Sequence, residues 1–255
     1  MSRKNIAAGA TAAAAVAPPL TEDANAIIAI AAHELKNALG GIGVALARCE
    51  QRLAGGRAVT TDDLAVARSE VRRLSALVND LLDGARVDLG VVHVDRRQFD
   101  LAALTREVVA MFCAARGRAV TLDLPADSVE VTADAERVRA VLVNYLENAA
   151  KYAPAPAEIT VRLGPSPALT VDAEAHAGRL RLAVSDDGPG IAVGDQPRLF
   201  QRFSRGSSAA RRAEGLGLGL YVCRAIAEAH EGEVGVISRP GAGATFWLDL
   251  PAGAG

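Results

Sequence analysis

The chain has 255 residues, half of them hydrophobic, and its 28 basic and 30 acidic residues give a net charge of −2. This balance argues against general nucleic-acid binding. Cys49, Cys113 and Cys223 lie too far apart for a zinc or redox motif, which favours a reduced cytoplasmic setting. No apolar run reaches the roughly 18 residues that a membrane-spanning helix needs, so we expect no direct membrane span. The length fits one large or two modest domains.

Residues 1–21 are expected to form a disordered leader. Arg3 and Lys4 precede an alanine-rich run that ends at Pro18 and Pro19. A basic start followed by such a run is similar in outline to a secretion signal. Because alanine is only weakly apolar, we favour a leader without fixed structure over a signal peptide.

A helix is predicted from near residue 22 to about residue 53, and it contains the stretch AHELKNALGGIGVAL. Its apolar residues recur every three or four positions: they are Ile28, Ala31, Leu35, Ala38, Ile42 and Leu46. His33 then lies about opposite this stripe and faces water. A lone helical histidine is usually an ordinary surface residue. Here Glu34 follows directly and can orient the imidazole and take its proton, and a neutral imidazole is a competent nucleophile near neutral pH.

Three glycines, Gly40, Gly41 and Gly43, follow the histidine inside this helix, and each costs about 1 kcal/mol relative to alanine. They predict a bend there. Gly55 and Gly56 end the helix, and residues 60–63 cap a second one.

The second helix has a coiled-coil periodicity. Its seam residues are Leu64, Ala67, Val71, Leu74, Val78, Leu81 and Ala85. Two such helices cannot bury two apolar stripes alone, whereas a pair of hairpins forms a four-helix bundle. We therefore expect a homodimer through residues 22–89. The alternative is a monomer whose hairpin packs on its own second domain.

The pattern after Gly90 predicts a mixed α+β domain. Asp100 and Asp134 cap two helices, through about residues 115 and 149. The predicted strands are residues 91–94, 119–124, 129–132, 159–163, 180–184, 233–238 and 244–250. A proline- and alanine-rich segment at 164–178 reads as an exposed hairpin excursion. The mostly antiparallel order implies a sandwich with helices over one sheet face.

The helix that follows Asp134 carries a polar face. Asn144 and Asn148 are four residues apart, so both amides point to one side, with Lys151 and Tyr152 one turn further on. Amide oxygens suit Mg²⁺, and a lysine suits phosphate. Asparagine pairs are also common on helix surfaces, so this signal is weak alone.

Two glycine-rich turns and a phenylalanine pair complete the candidate set. Asp186 leads into a turn with Gly188 and Gly190, where a carboxylate could accept a hydrogen bond from an exocyclic amine; an ordinary Asp-Gly turn is the alternative. The run from Gly215 through Gly217 and Gly219 opens a helix, which makes an anion site. Between these turns, Phe200 and Phe203 anchor a segment that reads as a mobile lid.

In this order and spacing, the motifs resemble those of the sensor histidine kinases of two-component signalling, over about residues 22–250. Residues 33–37 resemble the phosphoacceptor box, 144–151 the asparagine box, 186–190 and 215–219 the glycine boxes, and 200–203 the phenylalanine box. The resemblance implies a dimerisation and phosphoacceptor hairpin at 22–89. It also implies an α/β-sandwich ATP-binding domain of the Bergerat type at 90–252.

The resemblance further implies an ATP site with Mg²⁺ as cofactor. Asn148 would ligate Mg²⁺, with Asn144 assisting; Asp186 would read the adenine amine and Tyr152 would flank the base. Lys151 and the glycine amides would hold phosphates. The full set of implied ATP-binding residues is Asn144, Asn148, Lys151, Tyr152, Asp186, Gly188, Gly190, Phe203, Gly215, Gly217 and Gly219.

At the phosphoacceptor box, the resemblance implies that His33 attacks the γ-phosphate with Glu34 as base, and that Asn37 orients water for dephosphorylation of a regulator. Ala38 stands where the family commonly has proline. Proline would kink the helix, and the following glycines are expected to supply the bend instead. Whether phosphorylation occurs in cis or trans stays open.

The expected function is an ATP-dependent protein-histidine kinase that passes phosphate to an aspartate of a response regulator receiver domain, and that can also dephosphorylate it. The alternatives are a degenerate kinase acting as a regulator-binding adaptor or phosphatase, and a mechanical ATPase of the gyrase type. About 20 leading residues are too few for a sensor domain, so input is expected from a partner protein or a missing domain.

Overall fold

The computed structural model describes residues 22–90, 92–153, 155–166, 178–204 and 216–252, with side chains from residue 31 onward. The predicted leader and Gly215 lie outside them. Two long helices, α1 (Glu22–Ala54) and α2 (Thr61–Asp88), form an antiparallel hairpin. Thr60 caps α2 in a capping box, in which its hydroxyl accepts from the Asp63 N–H and the Asp63 carboxylate accepts from the Thr60 N–H. The predicted start of α2 is confirmed.

The helix α1 continues without interruption through its three glycines. Ala31 and Ala38 are buried toward α2, as the predicted stripe requires, and His33 is exposed. The prediction for Leu46 is wrong, because it is 49% exposed and Ala45 is buried in its place. The inner stripe steps by three residues at this point, which turns Leu46 outward.

A two-stranded sheet opens the second domain. β1 (Arg97–Asp100) pairs antiparallel with β3 (Glu130–Ala133). The predicted strand at 91–94 is wrong: residues 92–94 are irregular, and residue 91 lies outside the described part. Its valines have β propensity, but the partner strand lies opposite residues 97–100.

The main sheet has five strands, which are β2 (Thr121–Asp123), β4 (Ile159–Pro165), β5 (Arg179–Asp186), β6 (Glu233–Ser238) and β7 (Ala244–Pro251). Their order across the sheet is β2-β4-β5-β7-β6. The β2–β4 pair is parallel and the other three pairs are antiparallel. These strands confirm the predicted ones. The tip of the predicted excursion between β4 and β5, at 167–177, lies outside the described residues.

Three helices cover one face of this sheet: α3 (Leu101–Arg116), α4 (Ala135–Tyr152) and α5 (Gly219–Ala229). Asp100 and Asp134 cap α3 and α4, as predicted. The core contains Tyr145 of α4, whose ring lies 5.7 Å from that of Phe246 on β7. The fold is therefore a helical hairpin followed by an α/β sandwich.

A second apolar cluster joins the hairpin to the α/β domain. Its buried members are Ala31, Ala38, Leu77, Leu216 and Leu218, with Phe203 and Tyr221 packed against them. The end of α2 also makes polar contacts with the α/β domain, because Asp88 forms an ion pair with Arg202 at 2.5 Å and accepts a hydrogen bond from the Tyr221 hydroxyl at 3.1 Å. The leucines between the glycines of the second glycine-rich turn thus pack against the hairpin.

Within the described ranges, no helix combines the length and the apolar character that crossing a membrane would require.

Candidate functional site

The two asparagines of α4 are in direct contact. The Asn148 Nδ2 donates to the Asn144 Oδ1 over 3.0 Å, and both side chains are half-buried. This bond uses the nitrogen of Asn148, so its amide oxygen is the atom left to face a cation. The structure therefore confirms the predicted common face of the two amides.

The start of α5 lies against this pair. A Cβ atom at Gly219 would stand 2.1 Å from the Asn144 Nδ2, so only glycine permits this approach. The first backbone N–H groups of a helix have no partner within the helix and attract anions. Gly217, with a φ of +69°, packs against the Ser204 carbonyl. The start of α5 and the asparagine pair of α4 are thus brought together.

Asp186 ends β5 near the C-terminal end of α4. Burial raises the pKa of its carboxyl above the ordinary range, and the backbone N–H groups of Gly188 and Ala244 partly offset this by donating to it. Gly188 packs against Ala153, the C-cap of α4, and a Cβ atom there would overlap it at 2.6 Å. The predicted adenine-reading carboxylate is thereby fixed to the end of the asparagine helix.

Gly190 closes the turn after Asp186. Its φ is +69°, and a Cβ atom would stand 2.0 Å from the Arg239 carbonyl oxygen. The glycine therefore lets this turn pack against the segment between β6 and β7. Gly190 therefore contributes through its backbone, by allowing the turn that follows Asp186 to pack closely.

Lys151 and Tyr152 are exposed on the last turn of α4. The Lys151 ammonium lies 5.1 Å from the centre of the Tyr152 ring. Both side chains are accessible to a ligand on the asparagine side of the domain. Their predicted phosphate and base contacts stay predictions.

The structure separates the two phenylalanines of the predicted lid. Phe200 packs into the core, with its ring 6.3 Å from that of Phe246. Phe203 touches Gly217 through its backbone, and its side chain belongs to the cluster between hairpin and α/β domain. Phe203 is thus placed beside the glycine turn, with its ring directed into that junction.

The phosphoacceptor candidates lie on α1. His33 and Asn37 are exposed one turn apart, whereas the Glu34 carboxylate turns toward α2, where its Oε2 accepts from the Arg73 Nη2 over 3.1 Å. Sequence reasoning did not single out Arg73. No local signal identifies it, because it lies 39 residues further along the chain.

The residues present fit a shared divalent cation rather than a closed metal site. In the described ranges, no group of three or more His, Cys, Asp or Glu side chains could hold a metal. Mg²⁺ keeps few protein ligands and takes the rest from phosphates and water. The side chain of Asn148, which bonds to Asn144 next to the start of α5, offers one such oxygen and matches that pattern.

Two family models match the chain. "His Kinase A (phospho-acceptor) domain" matches residues 24–90, and "Histidine kinase-, DNA gyrase B-, and HSP90-like ATPase" matches residues 133–254. The chain is 34% identical over 234 residues to the adaptive-response sensory kinase SasA of Thermosynechococcus vestitus, which covers 88% of this chain. The chain spans 59% of the length of that relative.

Solved structures show the same fold. Full-length ShkA, crystallised in complex with AMPPNP, aligns with a TM-score of 0.58 and 25% identity over 91% of this chain and 47% of its own. The histidine kinase ThkA in complex with the response regulator protein TrrA aligns with a TM-score of 0.60 and 20% identity, over 89% of this chain and 61% of its own.

Proposed function

The chain belongs to the sensor histidine kinases, and we propose that it uses ATP to phosphorylate its own His33 and then phosphorylates an aspartate of a response regulator. The observation that carries the proposal is the approach of the α5 N-terminus to the asparagine pair, which Gly219 permits. It combines an anion site with a ligand for a hard cation. ShkA, a relative of the same fold, binds an ATP analogue.

The α/β domain would hold ATP through groups that approach it from three elements. Asp186 would accept from the adenine amine, and Tyr152 would flank the base. Lys151 and the backbone N–H groups of Gly217 and Gly219 would bind phosphates. Asn148, with Asn144 assisting, would hold Mg²⁺, which when bound would neutralise phosphate charge.

In the proposed reaction, a ring nitrogen of His33 bonds to the γ-phosphorus while the bond from that phosphorus to the bridging oxygen of ADP breaks. The proton on the other ring nitrogen passes to the Glu34 carboxylate. Phosphoryl transfer demands little covalent chemistry from the protein, so positioning and electrostatics supply most of the catalysis. The exposure of His33 leaves its imidazole accessible to a phosphate and then to a regulator.

The test is incubation of the purified chain with Mg²⁺ and γ-labelled ATP. We expect an acid-labile, alkali-stable label on the wild type that is absent from His33→Gln and Asn148→Ala. The matched controls are His93→Gln and Asn79→Ala, which change an exposed histidine and an exposed asparagine elsewhere in the chain. Nucleotide binding without any labelling would contradict kinase activity and favour the adaptor or phosphatase alternative.

A response regulator receiver domain is the proposed partner, supported by the ThkA–TrrA complex of the same fold. Asn37, exposed one turn beyond His33, would orient water for dephosphorylation of the regulator. We also propose a homodimer through residues 22–89, supported by the exposed apolar residues of both hairpin helices. The upstream sensor and the cytoplasmic setting stay predictions.

A further inference from the structure

The Glu34 carboxylate is held by an ionic chain that crosses the hairpin. Arg73 on α2 donates to it through Nη2 over 3.1 Å. The other terminal nitrogen of the same guanidinium lies 3.7 Å from Oε2 of Glu70, one turn earlier on α2. The Glu34 side chain is only 13% exposed, so this pairing is largely shielded from water. Ion pairs shielded in this way hold their geometry better than those on the surface.

Gly41 makes the space in which Glu70 lies. A Cβ atom at position 41 would stand 2.9 Å from the carboxyl carbon and Oε2 of Glu70. At Gly40 and Gly43, by contrast, a Cβ atom would meet nothing within 4 Å. A glycine inside a helix costs about 1 kcal/mol relative to alanine. Of the three glycines, Gly41 is therefore the one whose missing Cβ atom leaves room for the Glu70 carboxylate to pack against α1.

We propose that Arg73 is a positioning residue for the reaction at His33, fixing the Glu34 carboxylate from across the hairpin with Glu70 as its anchor. This proposal rests on the proposed kinase function, in which Glu34 takes the imidazole proton. Neighbouring residues on a helix diverge by about 100°, so Glu34 does not share the exposed face of His33. A contact from α2 is needed to define where that carboxylate stands.

Glu70 places a second carboxylate beside the Arg73 guanidinium, at 3.7 Å and without a hydrogen bond to its Oε2. A single ion pair would leave the guanidinium free to follow Glu34 through its rotamers. With Glu70 as a second carboxylate, the guanidinium is held between two acids, and Glu34 loses that freedom before the substrate arrives. Positioning of a catalytic group in advance lowers the barrier without changing substrate binding.

The test compares autophosphorylation kinetics of Arg73→Gln with those of Arg72→Gln, its exposed neighbour on α2. A general base contributes about 10²–10⁴-fold, so we expect Arg73→Gln to lower kcat by about 10–100-fold, with the KM for ATP unchanged. Arg72→Gln should have the kcat of the wild type, and Arg73→Lys should have a kcat between those of Arg73→Gln and the wild type.

Gly41→Ala should lower kcat by a smaller factor than Arg73→Gln does. Gly40→Ala and Gly43→Ala should leave kcat at the wild-type value.

A double-mutant comparison separates positioning from hairpin stability. If Arg73 acts through Glu34, adding Arg73→Gln to Glu34→Gln should lower kcat no further. An equal loss in both backgrounds would overturn the proposal, as would Arg73→Gln with wild-type kcat. A wild type that takes no label at all would overturn the kinase function itself and this proposal with it, which distinguishes the two failures.

Discussion

At the scale of single residues, Asp80 carries an ionisable group into the contact between α2 and the α/β domain. Burial raises the pKa of its carboxyl to about 6, repulsion from Asp83 adds to this, and Lys151 opposes it. As the pH rises, the unfolded chain therefore loses the Asp80 proton near pH 3.8, whereas the folded protein keeps it until about pH 6. Asp80 costs no stability below the unfolded pKa, and its cost grows as pH rises from about 4 to 6.

We predict that Asp80→Asn stabilises the protein at pH 7.5, because it removes a charge whose burial is unfavourable. The expected gain in the free energy of unfolding is about 1–3 kcal/mol, since each pKa unit corresponds to about 1.4 kcal/mol. Urea unfolding at pH 4.5 and pH 7.5 measures it, with exposed Asp127→Asn as the control. A variant less stable than the wild type at pH 7.5 would show that Asp80 forms a favourable ion pair instead.

Single residues also show what the sequence can and cannot reveal about the site. Asn144 and Asn148 were predictable, because helix geometry alone puts residues four apart on one face. The pairing of Glu34 with Arg73 was not, since it joins two helices at a register that depends on how their side chains pack. The contact of Gly41 with Glu70 depends on the same register, so the sequence alone predicts only a bend at the glycines.

At the scale of elements, the helix starts were the most predictable features. Thr60, Asp100 and Asp134 each cap a helix with their own side chain, so the signal lies within four residues. The first strand was misplaced because a strand depends on a distant partner. Residues 92–94 have the β propensity, but residues 97–100 lie opposite β3 and form the ladder.

The junction of α5 with α4 leads to a prediction about Gly219. Alanine there would stabilise the helix by up to about 1 kcal/mol. Its Cβ atom, however, would stand 2.1 Å from the Asn144 Nδ2 and would push that amide out of its place. We expect Gly219→Ala to keep the stability of the wild type and to weaken ATP binding by about tenfold, or about 1.4 kcal/mol. Nucleotide titration measures this, with Gly194→Ala, which meets nothing within 4 Å, as the control. Unchanged affinity would place the phosphates elsewhere.

At the scale of the whole molecule, each helix of the hairpin has an outer apolar row. Leu39, Leu46 and Leu53 on α1 repeat every seven residues and are 49–62% exposed, and Leu64, Val71 and Val78 on α2 repeat likewise at 41–49%. The predicted seam of α2 is therefore divided into two rows. Leu64, Val71 and Val78 form the outer row, whereas Leu74 and Leu81 face inward and pack against the apolar cluster between the hairpin and the α/β domain. A seven-residue (heptad) repeat is the spacing of apolar residues in packed helical bundles.

A second copy of the hairpin is the partner that such rows fit, because burying both rows in a four-helix bundle removes them from water. Burial of one valine side chain contributes about 1.5–3 kcal/mol, so the double change Val71→Lys/Val78→Lys should weaken self-association by at least about 100-fold. Light scattering over a concentration series measures the mass, with a dimer expected for the wild type and a monomer for the variant. Val66→Lys, which changes an exposed valine outside the row, should remain dimeric. If the wild type were a monomer at high concentration, or if Val66→Lys dissociated it as readily, the outer rows would not form the interface.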